Sequence, residues 1–238
     1  MPDVMAVTSF SQAGWETYAE TGLKSFCDNF PGDIAVYYED EAPEFKHRKI
    51  IYRPLYEVEG LREVLAWAKA SPVLQGRMPG GEYCYNFDLY KFCRKVFAQV
   101  HAALTFNGIL YWLDADAQLV RKVPKKLLVD MLEGAYTAAP FRKGWHIESG
   151  LVCWDTRHEK NEDFMKAYRG LFTGGTILQL QGFHDCWAYQ AALKMSKAPW
   201  RDLSPGAQRI EDVMLRTPLA GYLHHDKGIR KYVKEDAA

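Results

Sequence analysis

Several absences narrow what this sequence can be. The chain of 238 residues has no C-x-x-C pair, and its five cysteines, Cys27, Cys84, Cys93, Cys153 and Cys186, are odd in number and scattered. That pattern excludes a disulfide framework and a structural zinc site, and predicts free thiols in a reducing compartment. No apolar run approaches the roughly 18 residues of a membrane span. The opening MPDVMAVTSF has no basic segment followed by a long apolar stretch. A protein without signal peptide, transmembrane helix or membrane partner is expected, located in the cytoplasm. Net charge is also missing, because 30 basic residues balance 30 acidic ones, so any affinity for nucleic acid would have to come from local patches. No G-x-G-x-x-G follows the first strand candidate, which excludes the dinucleotide-binding fingerprint.

What is present describes a soluble α/β enzyme. A content of 48% hydrophobic and 14% aromatic residues suffices for a large core, and one domain over residues 1–238 is expected. Residues 5–10 read as a strand. Trp15, Tyr18, Ala19, Leu23, Phe26, Cys27 and Phe30 then recur by threes and fours as one buried helix face, ended by Pro31 and Gly32. A strand at 33–38 completes the opening of a parallel sheet. Residues 39–53 are charged and read as an irregular surface loop. Helices are expected at 58–70 and 86–105, with a Pro- and Gly-rich connection at 71–81 between them. The chain continues with a short helix at 124–134, strands at 135–139 and 151–154, a helix at 162–172 and another from about 183 to 195.

The stretch that organises the rest is GILYWLDADAQLV, residues 108–120. Its apolar run suits a strand covered on both faces, and Asp114, Ala115 and Asp116 follow where that strand leaves the core. In open α/β sheets the ligand crevice lies beyond the carboxyl ends of the strands. Two carboxylates one residue apart in a turn can aim at one hard divalent cation, which would also hold phosphate oxygens. The competing reading is a plain Asp turn.

Other candidates are spread along the chain. Thr8 and Ser9 edge the loop after the first strand, a place for a base and ribose, with Ser11 as a possible helix cap. Lys91, Arg94 and Lys95 cluster on one side of the helix that feeds the acidic strand, facing either the crevice or solvent. Glu148, Ser149 and Gly150 lead into the next buried strand, where Gly150 allows close backbone approach and Glu148 supplies a carboxylate. Asp185, after His184, opens a helix as either a cap or a functional carboxylate. Near the end, His225, Gly228 and Lys231 offer an imidazole for a metal, an open backbone and a charge for a diphosphate.

In this order the motifs L-D-A-D, E-S-G, H-D and H-x-x-G-x-x-K resemble the nucleotide-sugar-dependent glycosyltransferases of GT-A fold, particularly the retaining glycogenin-like and lipooligosaccharide-galactosyltransferase-like group. The resemblance covers residues 7–231. It implies a Rossmann-like α/β fold whose mixed, mostly parallel sheet is flanked by helices. It implies Asp114, Asp116 and His225 as ligands of Mn²⁺ or Mg²⁺, with Gly228 and Lys231 near the diphosphate. Lys95 stands in the place of the family's helical Arg, Ser149 and Gly150 lie along the sugar, and Asp185 lies near the anomeric centre. The chain departs from the group at Tyr232 and Val233, in place of Pro-Trp, at Cys186, in place of Gln, and at Glu148, in place of Asn.

The expected activity is hexosyl transfer from a UDP-sugar to an acceptor hydroxyl, with Asp185 or Glu148 stabilising the sugar cation, orienting its hydroxyls or taking the acceptor proton. The wording WLDAD, ESG and HD also resembles small bacteriophage glycosyltransferases, some associated with hypermodified DNA bases. That raises 5-hydroxymethylcytosine in double-stranded DNA as acceptor and the host cytoplasm as location. Arg121, Lys122, Lys125, Lys126, Arg142 and Lys143, with Trp145 among them, are the candidate DNA patch. A surface glycan, lipid or protein acceptor is the alternative, and a non-catalytic nucleotide-sugar or nucleic-acid binding module is another. No obligate protein partner is evident.

Overall fold

The computed structural model describes residues 1–209 and 212–225. Strand β1, Val4–Phe10, leads into the short helix α1, Gln12–Gly14. Ser11 caps α1, its hydroxyl oxygen accepting from the Gly14 N–H at 3.2 Å. A π-helical turn, Trp15–Ala19, joins α1 to α2, Glu20–Asn29. Strand β2 covers Asp33–Tyr38, the span its apolar run predicts. β3, Ile50–Pro54, lies at the end of the stretch 39–53 read as a loop and runs one residue past it. It is an edge strand whose residues are mostly half-buried, so it lacks both the apolar run and the clean alternation by which a strand is recognised.

Helix α3, Leu61–Lys69, is followed by the long α4, Leu89–Thr105, which starts where the Asp88 carboxylate accepts from the Lys91 N–H at 2.9 Å. Then come β4, Ile109–Leu113, β5, Ala117–Leu119, α5, Lys125–Asp130, and β6, Thr137–Ala139. The remaining elements are β7, Leu151–Asp155, α6, Asn161–Thr173, α7, Asp185–Ser196, β8, Trp200–Asp202, and β9, Leu223–His225.

The main sheet has the strand order β3-β2-β1-β4-β7-β6-β8, and β5 pairs with β9 in a separate ribbon. β7 runs against both of its neighbours while the other strands of the main sheet share one direction. This is the mixed, mostly parallel sheet the sequence leads one to expect. One face is covered by α3, α4, α6 and α7, whose Leu65, Phe97, Phe164 and Ala188 pack with Val7, Leu110 and Trp112. The other face is covered by α2 and α5, whose Leu23, Phe26 and Leu128 pack with Ala6, Ile109 and Tyr111. Every residue of β4 is buried, so its polar continuation marks the edge of the core. No described helix is long and apolar enough to cross a membrane.

The antiparallel β7 decides where the site forms. Leu113 at the end of β4 pairs with Leu151 at the start of β7. Residues that enter β7 therefore lie beside residues that leave β4. Glu148, Ser149 and Gly150 meet the acidic turn for that reason, although a parallel strand would have carried them to the far edge of the sheet.

Candidate active site

Period-two alternation along β4 puts Trp112 on the face packed by α4, and Asp114 follows it on that side. The Trp112 indole donates to Asp114 Oδ1 at 2.7 Å, and Lys95 Nζ donates to the same oxygen at 2.7 Å. The turn closes by a hydrogen bond from the Ala117 N–H to the Asp114 carbonyl at 2.9 Å, and the Asp114 N–H is fixed on the Gly150 carbonyl at 3.0 Å. Two glycines let other elements approach this turn. A Cβ on Gly22 of α2 would lie 2.4 Å from the Ala115 carbonyl oxygen, and one on Gly150 would lie 2.9 Å from Asp114 Oδ2.

The ribbon brings in a residue from the far end of the sequence. Ala117 pairs with His225, which leaves His225 Nε2 3.4 Å from Asp116 Oδ1. Asp114, Asp116 and His225 each offer a ligand atom, and these atoms lie within 4.8 Å of one another. The residues fit a divalent cation. Two donors occupy Asp114 Oδ1 while Oδ2 faces Gly150, and His225 Nδ1 is a buried nitrogen with no hydrogen-bond partner among the described residues. Two carboxylates and an imidazole suit Mn²⁺ or Mg²⁺. Gly228 and Lys231, assigned to the diphosphate by resemblance, lie outside the described residues.

Lys95 is the hub of the site. Besides Asp114 it reaches Asp185 Oδ2 at 2.8 Å and Ser149 Oγ at 3.2 Å, which occupies its three donors. Burial alone would lower its pKa, but the Asp114 and Asp185 carboxylates outweigh burial and raise it. Burial would likewise raise Asp185, and Lys95, with His184, holds that carboxyl well below the usual range instead. The Ser149 hydroxyl also donates to Asp185 Oδ2. Asp185 is therefore not the cap of α7; the cap position belongs to His184 and Asp185 sits in the first turn.

Two chambers meet at Lys95 and Asp114. One, of about 420 Å³, is lined by Ser9, Tyr18, Arg94, Ala115 and Asp116 among others. The other, of about 560 Å³, is lined by Tyr85, Phe92, Glu148, Ser149, His184 and Asp185 among others. Lys91 also lines the first chamber, so the basic side of α4 does face the crevice. Arg94 is held at its wall by Glu39 Oε2 at 3.1 Å, and burial raises the Glu39 carboxyl despite that guanidinium.

Thr8 does not reach the chamber. Alternation along β1 sends it to the α2 face, where it is buried, while Ser9 lines the opening. Glu148 is in the second chamber but is ion-paired with Arg142 and accepts from the Gly150 N–H at 3.2 Å. Sequence reasoning missed His146, Tyr85 and Phe92, which line that chamber, and gave His184 no role. No chemical motif surrounds them, and only the juxtaposition of α4, α7 and the loop before β7 gathers them. Cys186, also in the wall, has a thiol pushed well up by burial.

The candidate DNA patch does not assemble around the chambers. Among its basic members Arg142 alone lines one, and it is buried and paired. Lys125 is 3.6 Å from Asp3, at the opposite, amino-terminal edge of β1, Lys126 pairs with Asp130, and Arg121 stacks on Tyr222. Trp145 lines the larger chamber, but Arg209 already covers its ring at 3.7 Å.

No protein-family model matches the chain, and no curated protein matches it in sequence. Solved structures do resemble it. Mouse xyloside xylosyltransferase 1, in its apo form, matches with a TM-score of 0.55 and 11% identity over 96% of this chain and 99% of that one. The galactosyltransferase LgtC, in complex with donor and acceptor sugar analogs, matches with a TM-score of 0.53 and 9% identity over 94% of this chain and 87% of that one. The glycosyltransferase GlyE of Streptococcus pneumoniae matches with a TM-score of 0.50 and 14% identity over 99% of this chain but 56% of that one. The chain has the GT-A fold of these glycosyltransferases.

Proposed function

We propose that this chain is a metal-dependent glycosyltransferase that moves a hexose, glucose first among the candidates, from a UDP-sugar to an acceptor hydroxyl with retention at the anomeric carbon. One observation carries the reading. Asp114, Asp116 and His225, distant in sequence, bring their ligand atoms within 4.8 Å of one another, with Asp114 at the meeting point of two chambers. The chamber lined by Ser9, Ala115 and Asp116 takes the nucleotide, and the one lined by Ser149 and Asp185 takes the sugar and acceptor. Cleaving the bond from anomeric carbon to diphosphate leaves negative charge on the nucleotide. A bound Mn²⁺ or Mg²⁺ would neutralise that charge as a Lewis acid. Lys95 orients Asp114 toward the cation and Asp185 toward the sugar, where the Asp185 carboxylate stabilises the developing ring cation. The sequence resemblance further assigns Gly228 and Lys231, which lie outside the described residues, to the diphosphate.

5-Hydroxymethylcytosine in phage DNA is the acceptor that the sequence resemblance raises. Duplex DNA requires a cationic surface around the site, and the dispersal of the candidate lysines and arginines favours the second reading, a hydroxyl on a surface glycan, lipid or protein. Asp116→Asn tests the metal assignment. The variant is expected to keep the wild-type melting temperature within a few degrees and to lose nucleotide release from UDP-glucose with Mn²⁺. Near-normal turnover by this variant overturns the assignment.

A further inference from the structure

Most of the large aromatic rings of this chain are packed away, which makes one that stays open to solvent at a chamber mouth informative. Tyr85 lines the larger chamber and is 54% exposed. Its neighbourhood is fixed on both sides. The Cys84 N–H donates to the Gly76 carbonyl at 2.7 Å, and the Phe87 N–H donates to the Cys84 carbonyl at 3.1 Å. The Phe183 N–H donates to the Asn86 carbonyl at 2.6 Å, which ties this segment to the approach of α7. The Tyr85 ring rests against His184, with centroids 5.9 Å and planes 32° apart, and His184 meets His146 at 4.9 Å. At the other end of this row Trp145 lies 5.2 Å from His146 and 5.7 Å from Trp187, and Arg209 covers its ring at 3.7 Å. A polar pair completes the wall. Arg142 and Glu148 are ion-paired in the same chamber, and the bond to Glu148 uses one of the five guanidinium donors.

We propose that Tyr85 is the platform for a pyranose ring, so that the acceptor of the transferase reaction is a glycan; this assignment rests on the glycosyltransferase reading above. A pyranose with equatorial hydroxyls turns its axial C–H bonds toward its two faces. Those weakly positive hydrogens are drawn to the negative face of an aromatic ring, and stacking removes the apolar surface of both from water. The hydroxyls around the rim of the sugar both donate and accept. They therefore suit a wall made of a guanidinium with donors to spare and its carboxylate partner. A chamber of about 560 Å³ lies within the range of small-ligand sites, about 300–1,000 Å³, so an acceptor ring and the transferred sugar can share it. The other acceptors fit less well. A serine, threonine or lipid hydroxyl brings no C–H face to lay on a tyrosine. A base extruded from DNA is held by stacking between side chains, whereas Tyr85 offers one open ring and Trp145 is already covered by Arg209.

Saturation-transfer NMR tests this without turnover. The unmodified chain, Tyr85→Ala and Tyr85→Phe, the last of which keeps the ring, are each mixed with UDP, Mn²⁺ and the methyl glycosides of glucose, mannose and N-acetylglucosamine. The nucleoside of 5-hydroxymethylcytosine is compared in the same way, and UDP binding by calorimetry is the control. The proposal predicts that at least one glycoside receives saturation, concentrated on the C–H protons of one ring face. Its Kd is expected to rise about fivefold or more in Tyr85→Ala and to return toward the wild-type value in Tyr85→Phe. Undiminished glycoside binding by Tyr85→Ala overturns the proposal, and so does a loss that Tyr85→Phe does not repair. An unmodified chain that binds UDP but none of the glycosides, or that saturates the nucleoside alone, overturns it equally. Failure of the unmodified chain to bind UDP would instead overturn the underlying transferase reading.

Discussion

Replacing Lys95 by Met separates the charge network from the packing. The thioether fills most of the space of the lysine stem but removes an ammonium bonded to Asp114 at 2.7 Å, Asp185 at 2.8 Å and Ser149 at 3.2 Å. The Asp185 side chain is 3% exposed, so the variant leaves an almost fully buried carboxylate without its cation. Breaking a buried pair from one side costs roughly 3–5 kcal/mol. For a domain of this size that lowers the melting temperature by about 10 °C. The pH dependence carries the sign. In the wild type the Asp185 carboxyl lies below its unfolded value, so its stabilisation is present above the ordinary carboxylate range and is lost only as pH falls through the depressed folded pKa. In Lys95→Met burial is no longer opposed by the ammonium, the folded pKa rises above the unfolded one, and the deficit shrinks as pH falls from 7 toward 5. The double variant Lys95→Met/Asp185→Asn removes the uncompensated charge and is expected to recover at least half of the loss. Chemical denaturation of the three proteins at pH 5 and 7 reads all of this. A loss under about 1 kcal/mol, or no recovery in the double variant, refutes the buried-network account.

Gly22→Ala places a Cβ against the Ala115 carbonyl at 2.4 Å. It is expected to cost about 1–3 kcal/mol and to weaken Mn²⁺ binding by shifting the turn, both measurable by thermal denaturation and calorimetry. His146 gives a second pH signature. Burial first, and then His184 and Arg142, push its imidazole from 6.5 down to about 4. The unfolded chain binds a proton there that the folded one refuses, so stability falls as pH drops from 6.5 to 4, by about 3 kcal/mol in all. In His146→Gln the fall over that window should be smaller by a similar amount, as urea denaturation at each pH would read. If DNA is the acceptor after all, transfer to 5-hydroxymethylcytosine DNA should fall steeply between 50 and 200 mM salt, whereas transfer to a small glycoside should change little.

The parts of the fold that are legible in the sequence are those with strong periodicity or long apolar runs. Strand Asp33–Tyr38, the fully buried Ile109–Leu113 and helix Leu89–Thr105 announce themselves in that way. The edge strand Ile50–Pro54 and the three-residue strands β5, β8 and β9 do not, because short or half-exposed strands are specified by their partners rather than by their own pattern. The site divides along the same line. The acidic turn is local and could be read from the strand before it. The Lys95 contacts with Asp185 and Ser149, and the approach of His225 to Asp116, depend on an antiparallel strand and a two-stranded ribbon that no local signal declares. Thr8 and Ser9, adjacent in sequence, part company in the fold because a one-residue step in a strand reverses the direction of the side chain, so that Thr8 is buried while Ser9 lines the opening. The expected gathering of basic residues failed for a related reason, since nearness to the acidic turn in sequence did not keep Lys125 at the same edge of the sheet.

The most direct test of the central claim is nucleotide release from a panel of UDP-sugars, with Mn²⁺ or with EDTA, in the wild type and in Asp116→Asn. Each is assayed with no acceptor, with a small glycoside and with 5-hydroxymethylcytosine DNA. The account predicts release that needs Mn²⁺, is abolished by EDTA and by Asp116→Asn, and is stimulated by an acceptor hydroxyl. Release that is indifferent to EDTA, or wild-type release by Asp116→Asn, would contradict it.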